Sequence, residues 1–522
     1  MQQRLGIVLA VLMLLPAAPA AADAWRRVES PNFVVYTDFS PKEARQYVET
    51  LELFDRALRA RHGLETSQPA ARKLPIYLPR SRRDLQKVRP RRDDVVGFYA
   101  SGMEDTFAVA AGRDDTVLQH EYVHHFMLQH FPYGYPAWLV EGYAEYFMTF
   151  EAKPGQYEVG RANPNRVHWL AHGRWLPFER VVKVRPSDLR SSENAAMFYA
   201  QSWALTHYFL SDPERQKQLG EYLGAMARGV DSLAAMEAAT GGPIGGLDRK
   251  IREYLQKGLM YQRVGVAEFA PPALTVTELP ASAEDVLLLT QRVKTDNGVD
   301  APEDKTDGPV LLAEARRAAA AHPGDRAAEL LQARAEIKLG DLTAAEILLQ
   351  KRLQADPKDV EALQLLAAAR FRAAAEAPDR ARALHTEIRD IAGRAFKLDP
   401  TNYPTLVAYV RARQGLKSYP NDNDLGVLLD AVELAPQVGA IRMNAAIALD
   451  TRRRYKDAAA ILRPLAFDPH GGTDTAAARA LIAALEAKLA KSPDEAGEAI
   501  GARPDVAKAP GAAGAAGAAP AP

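Results

Sequence analysis

The 522-residue chain contains no cysteine. A disulfide framework is therefore excluded, and so is a lipid anchor attached through cysteine at a processed N-terminus. There is no excess of charge of one sign, since Lys plus Arg and Asp plus Glu number 66 each. That balance argues against a nucleic-acid binder or a strongly electrostatic surface. Long apolar runs are scarce. The run at the N-terminus, residues 5–15 after Arg4, is too short to span a bilayer comfortably. It leads into PAAPAAADA, with small-residue cleavage sites near Ala22 or Ala24. Residues 1–24 thus read as a secretory signal peptide, and the expected location is periplasmic or secreted, from a bacterium, with no stable membrane span after cleavage. Residues 491–522 lack aromatics and are dominated by Ala, Gly and Pro. Such a composition buries too little to offset ordering entropy, so a disordered tail is expected.

What the chain does have is LQHEYVHHFML followed by PAWLVEGYAEYF. His120 and His124 stand four positions apart, which on a helix puts them on one face, one turn apart. Two imidazoles so placed can reach one metal ion, with Glu121 aimed at an activated water. A His-Glu-x-x-His string arises by chance in roughly one of a hundred chains of this length, so its surroundings matter. Val117, Leu118, Val123, Phe126 and Met127 supply the apolar positions of a buried helix. A second helical run starts after Pro136 and carries Glu141 and Glu145 at i, i+4. His125 points about 100° away from His124 and is read as structural.

HExxH, a short gap and Trp138-Leu139-Val140-Glu141-Gly142 together resemble the gluzincin clan of zinc metallopeptidases, which includes thermolysin-like enzymes and zinc aminopeptidases. The resemblance implies a zincin-like fold and one zinc ion. It implies His120, His124 and Glu141 as ligands, Glu121 as general base, and Glu145 as the acid that orients the first histidine. The gap of sixteen residues between His124 and Glu141 is slightly short for the clan, and thermolysin-like enzymes have Asp where Glu145 stands. In the clan the edge strand before the metal helix pairs with the substrate backbone, which makes residues 106–111 the expected substrate strand. Gly102-Met103-Glu104-Asp105 is similar to the string whose glutamate grips the substrate amino terminus in zinc aminopeptidases, but it is one residue shorter; an ordinary polar hairpin is the other reading of Glu104. Tyr199, 58 positions past Glu141 in NAAMFYAQSWALTHYFL, is similar in place to the zinc aminopeptidase tyrosine that donates its hydroxyl to the oxyanion, with His207 and Tyr208 as lesser candidates. YAQSWALTHY also resembles a helix in a little-characterised bacterial group of peptidase-like domains in this clan, often joined to helical repeats.

The rest organises around these motifs. Residues 25–262 read as one α+β unit: strands at 32–38, 74–79, 95–100 and 106–112, and a helix over 41–62 with Ser40 as its N-cap before Pro41. Residues 263–281 are proline-rich and read as a linker. From 282 to 490 the chain is rich in Ala and Leu, and turn prolines recur at Pro323, Pro357, Pro400, Pro436 and Pro469, hence 34, 43, 36 and 33 apart. A period near 34 with helix-turn-helix content is the tetratricopeptide (TPR) signature, so an all-α TPR-like solenoid is expected. The longest spacing implies an extended helix or connection near residues 375–381. Two functional readings follow. One is a zinc metallopeptidase acting on a peptide or protein substrate, with a protein partner held by the repeats. The other is a catalytically silent scaffold with a vestigial metal domain. The presence of every ligand and the base favours the first.

Overall fold

The computed structural model describes residues 24–89, 96–112, 115–266, 271–295 and 308–491. Of the expected signal peptide (1–24) and the expected Ala/Gly/Pro tail (491–522), all but residues 24 and 491 lie outside the described residues.

A six-stranded mixed sheet forms the base of the N-terminal unit. Its strands are β1 (Arg26–Glu29), β2 (Phe33–Thr37), β3 (Leu74–Leu78), β4 (Gly97–Ser101), β5 (Thr106–Ala110) and a later strand introduced below. Between them lie α1 (Pro41–Arg61) and α2 (Arg82–Val88). Helix α1 starts as expected: Ser40 and Glu43 close a capping box ahead of Pro41. Strand β2, helix α1 and parallel strand β3 make a crossover unit, and β5 continues the parallel run beside β3. Antiparallel pairing of β4 with β5 forms the expected hairpin through Gly102-Met103-Glu104-Asp105.

After the sheet come α3 (Asp115–His130) and α4 (Ala137–Phe147), then β6 (Glu151–Lys153) and β7 (Gln156–Val159). A helical part follows: α5 (Pro164–His172), α6 (Phe178–Val181), α7 (Ser192–Leu210), α8 (Pro213–Ala227), α9 (Ser232–Thr240) and α10 (Ile244–Gln256). One continuous core joins sheet and helices, with Phe33, Phe54, Val123, Trp138, Tyr143, Trp203 and Tyr222 fully buried in it.

Two expectations change. The stretch read as a linker supplies two strands, β8 (Gln262–Gly265) and β9 (Thr275–Glu278). The first pairs with β7 and the second with β1, so this segment is stitched to both sheets. The alternating Thr275-Val276-Thr277 pattern is a strand signal that the flanking prolines obscured. The expected substrate strand is also displaced. In the order β4-β5-β3-β2-β1-β9, residues 106–110 form an interior strand buried along its length, and β4 is the edge beside α3.

Helix pairs then follow to the end of the described chain: α11 (Ala283–Thr295), α12 (Gly308–Ala321), α13 (Arg326–Leu339), α14 (Leu342–Ala355), α15 (Val360–Glu376), α16 (Ala381–Leu398), α17 (Tyr403–Arg411), α18 (Asp422–Leu434), α19 (Gly439–Thr451), α20 (Tyr455–Ala466) and α21 (Thr473–Lys491). Each recurrent proline falls in the turn before α13, α15, α17, α19 or α21, so the sequence period is the helix-pair period. Helix starts are capped by Asp325, Asp341, Asp359 and Asn421, each accepting a backbone N–H and each worth about 1 kcal/mol. Buried alanines such as Ala333, Ala362, Ala367 and Ala445 let neighbouring helices approach closely. The 43-residue spacing is mostly helix extension, since α15 and α16 have 17 and 18 residues against 14 each in α13 and α14, together with a longer connection at residues 377–380. These elements make an α+β unit followed by helical repeats. No helix among the described residues is long and apolar enough to cross a membrane.

Candidate metal centre

Helix α3 is held by the face opposite its histidines. Tyr122 is buried and donates its hydroxyl to Asp55 of α1 at 2.6 Å, and Asp55 also takes Arg59 at 2.7 Å. Val123, Phe126 and Met127 are buried around it. His120 and His124 emerge on the other side, one turn apart. Helix α4 crosses behind them, and its position depends on a glycine. A Cβ on Gly142 would stand 2.3 Å from the Ser202 carbonyl and from Thr206 Oγ1 of α7. Only glycine permits that approach, which seats the neighbouring Glu141 inside the protein.

The three side chains converge. His120 Nε2 and His124 Nε2 are 3.1 Å apart. Glu141 Oε2 is 3.5 Å from the first and 3.6 Å from the second. Two ligands of a tetrahedral ion with bonds of about 2.0–2.1 Å stand about 3.3–3.4 Å apart, so this triangle has the dimensions of one face of such a site. The Glu141 side chain is 0% exposed, and neither of its oxygens has a hydrogen-bond partner. A buried carboxylate without donors is costly unless a positive charge compensates it. Imidazole and carboxylate donors suit zinc, so the donor set and the orphaned oxygens both fit that ion. His120, His124 and Glu141 are the one such group found among the described residues.

The charges respond to this crowding. Burial lowers the His120 pKa, but Glu141, Glu145 and Glu121 outweigh it and raise it to about 9. Burial raises the Glu141 pKa, and His124, His120 and His470 outweigh it, holding the carboxyl far below its ordinary range. Glu145 Oε1 lies 3.5 Å from His120 Nδ1, where the orienting acid was expected. Its carboxylate is gripped by Arg166 through two bonds of 2.7 and 2.6 Å. Sequence reasoning missed Arg166, which no local pattern marks; it sits on the helix capped by Asn163, itself 3.5 Å from Glu145.

Tyr199 is half-buried, its ring 6.5 Å from the His120 ring and under the Arg166 guanidinium. Burial, then the Glu141 and Glu145 carboxylates, push its pKa well up, so the phenol keeps its proton and can donate it in a hydrogen bond. Glu121 and His124 open on a cavity of about 560 Å³. Tyr99, Phe131 and Tyr135 line it from the N-terminal unit, and Gln437, Phe467 and His470 line it from the repeats. His470 comes closest to the ligands, with Nε2 3.5 Å from Glu141 Oε1 and its ring 5.9 Å from that of His124. Nothing in the local sequence distinguishes it from any turn histidine.

Other candidates are placed elsewhere. Glu104 bonds Arg334 at 2.7 Å and Lys338 at 2.8 Å, and it lines a different, polar cavity against the repeats. Glu104 thus already carries two cations of the repeats and stands apart from the cavity at Glu121. His207 bonds the Tyr254 hydroxyl and the Gly160 carbonyl, both structural partners, and Tyr208 packs against Tyr254. His125 is driven down to about 3 by burial and accepts from Tyr99 and Gln437 at Nδ1.

No protein-family model matches this chain, and no curated protein does. Among solved structures, a thermophilic TPR protein in Thermus thermophilus is similar at 18% identity, over 40% of this chain and 100% of that one, with a TM-score of 0.32. At that score the likeness carries no argument, and the repeat architecture rests on this chain's own capped helix pairs.

Proposed function

We propose that the chain is an exported zinc metallopeptidase with a zincin-like, gluzincin-type N-terminal unit, and that its TPR-like repeats hold a protein or peptide partner. The observation that carries this reading is the orphaned Glu141 carboxylate facing two imidazole nitrogens at 3.5 and 3.6 Å. His120, His124 and Glu141 would hold the ion. When bound, the ion would supply a positive charge that polarises the substrate carbonyl and makes water acidic near neutral pH.

The remaining roles belong to the protein. Glu121, beside His124 on the cavity, accepts the proton of the attacking water and returns it to the leaving amine. Tyr199 keeps its proton and donates a hydrogen bond to the carbonyl oxygen as negative charge develops there. Glu145, braced by Arg166, holds the His120 ring in the orientation that aims Nε2 inward. The edge strand β4 contributes Gly97, Phe98, Tyr99 and Ser101 to the cavity wall, so an extended peptide could add to that edge within reach of Glu121.

Glu121→Gln tests this directly, because the amide keeps size and packing while removing the base. Hydrolysis of a peptide library should fall by about 10²–10⁴-fold with zinc still bound. Equal activity in the variant and the wild type would remove the proposed base. A wild type that neither binds zinc nor cleaves any peptide would leave the repeat scaffold as the function.

A further inference from the structure

The turn between α20 and α21 is Phe467-Asp468-Pro469-His470-Gly471-Gly472, one of the recurrent Asp-Pro turns of the repeats. It is the turn that meets the metal centre. Its backbone is specified: Gly471 and Gly472 have φ of 72° and 109°, which other residues rarely adopt, and Asp468 Oδ1 accepts from the His470 amide at 2.8 Å. It is also clamped against the N-terminal unit at both ends. A Cβ on Gly134 would lie 2.8 Å from the Phe467 ring, and one on Gly471 would lie 2.8 Å from Ser187 Oγ. Ser187 further donates to the Pro469 carbonyl at 3.4 Å. His470 therefore stands at Glu141 because of fixed backbone, although its own ring is 61% exposed.

The two oxygens of Glu141 face different partners. Oε2 is turned to His120 and His124, and Oε1 is turned to His470 Nε2 at 3.5 Å. We infer that His470 is a positioning residue for the metal centre: its Nε2, 3.5 Å from Oε1 of Glu141, is placed to close on that oxygen and donate to it when an ion is held, while Oε2 stays turned to His120 and His124. This rests on the metal reading above. A ligating carboxylate is ordinarily held by such an outer partner, and loss of one typically costs about 10–100-fold in metal affinity. Here the partner belongs to the last described turn of the repeats, some 330 positions from Glu141 in the chain. Zinc binding and docking of that turn are then linked, each strengthening the other.

Full-length wild type, His470→Ala and His470→Gln, stripped with chelator, would be titrated with zinc against a competing indicator. His470→Ala should bind about 10–100-fold more weakly. His470→Gln, whose amide can place an N–H near the lost one, should recover to within a few-fold of wild type. Thermal unfolding in chelator should be alike for all three, because the ring is mostly exposed. Equal affinity of His470→Ala and wild type would overturn the inference, and so would a glutamine variant no better than alanine. A wild type that takes up no zinc would instead sink the underlying metal reading, which separates the two failures.

Discussion

At the scale of single residues, the centre is a contest between burial and charge. His120 is buried enough that its ring should resist protonation, yet three carboxylates reverse this and raise its pKa to about 9. The sign of the consequence is fixed. A coordinating nitrogen must be unprotonated, so an ion binding below about pH 9 would have to displace a proton from His120. Zinc affinity should therefore rise by about tenfold per pH unit from about pH 7 towards 9 and level off above it. Competition titrations across that range measure it, and an affinity flat with pH would contradict the charge arrangement. His120, Glu121 and His124 were legible in sequence because helix geometry converts spacing into proximity, whereas Glu141, on the next helix, was named only through the resemblance to a known clan. Arg166 and His470 were not legible. Both reach the site through the path of the chain between elements, which no local pattern records.

At the scale of elements, α4 is where packing and chemistry coincide. Glu141 is placed by the contact of α4 with α7, and that contact passes through Gly142. Gly142→Ala puts a methyl group against a backbone carbonyl that cannot swing aside, so the helices must separate. The expected cost is about 1–3 kcal/mol, seen as a lowered Tm, with weaker zinc binding because Glu141 moves with its helix. A variant with wild-type Tm and affinity would show that the approach is not needed. Element prediction succeeded where periodicity was long or caps were present, as in α1, α3, α7 and the repeat helices. It failed at β1, β6 and β8, which are three or four residues long, and at β9, whose partner is at the other end of the unit. Choosing the edge strand also failed, because sheet order depends on pairings that a strand's own sequence does not specify.

At the scale of the whole molecule, the repeats are not an appendage. Strand β9 leads into them from the main sheet. Trp25 donates to Glu284 at 2.7 Å, Gln291 donates to Tyr77 at 2.6 Å, and Lys294 pairs with Asp105 at 2.7 Å. Further along, Tyr403 donates to the Gly102 carbonyl at 2.7 Å, and Gln437 meets Gln129 of α3 at 3.2 Å. The repeats thus run against the β4–β5 hairpin and α3, and they supply one wall of the cavity at Glu121. The period of the prolines announced the helix pairs, but this docking follows from side chains hundreds of positions apart and was not readable beforehand. The central claim is that two imidazoles and one carboxylate are built to hold an ion inside this assembly. Zinc bound per chain after equilibrium dialysis tests it most directly, comparing wild type, Glu121→Gln and Glu141→Ala. The account predicts one ion per chain for wild type and Glu121→Gln, and none retained by Glu141→Ala. A wild type that retains no zinc, or a Glu141→Ala protein that retains as much as wild type, would contradict it.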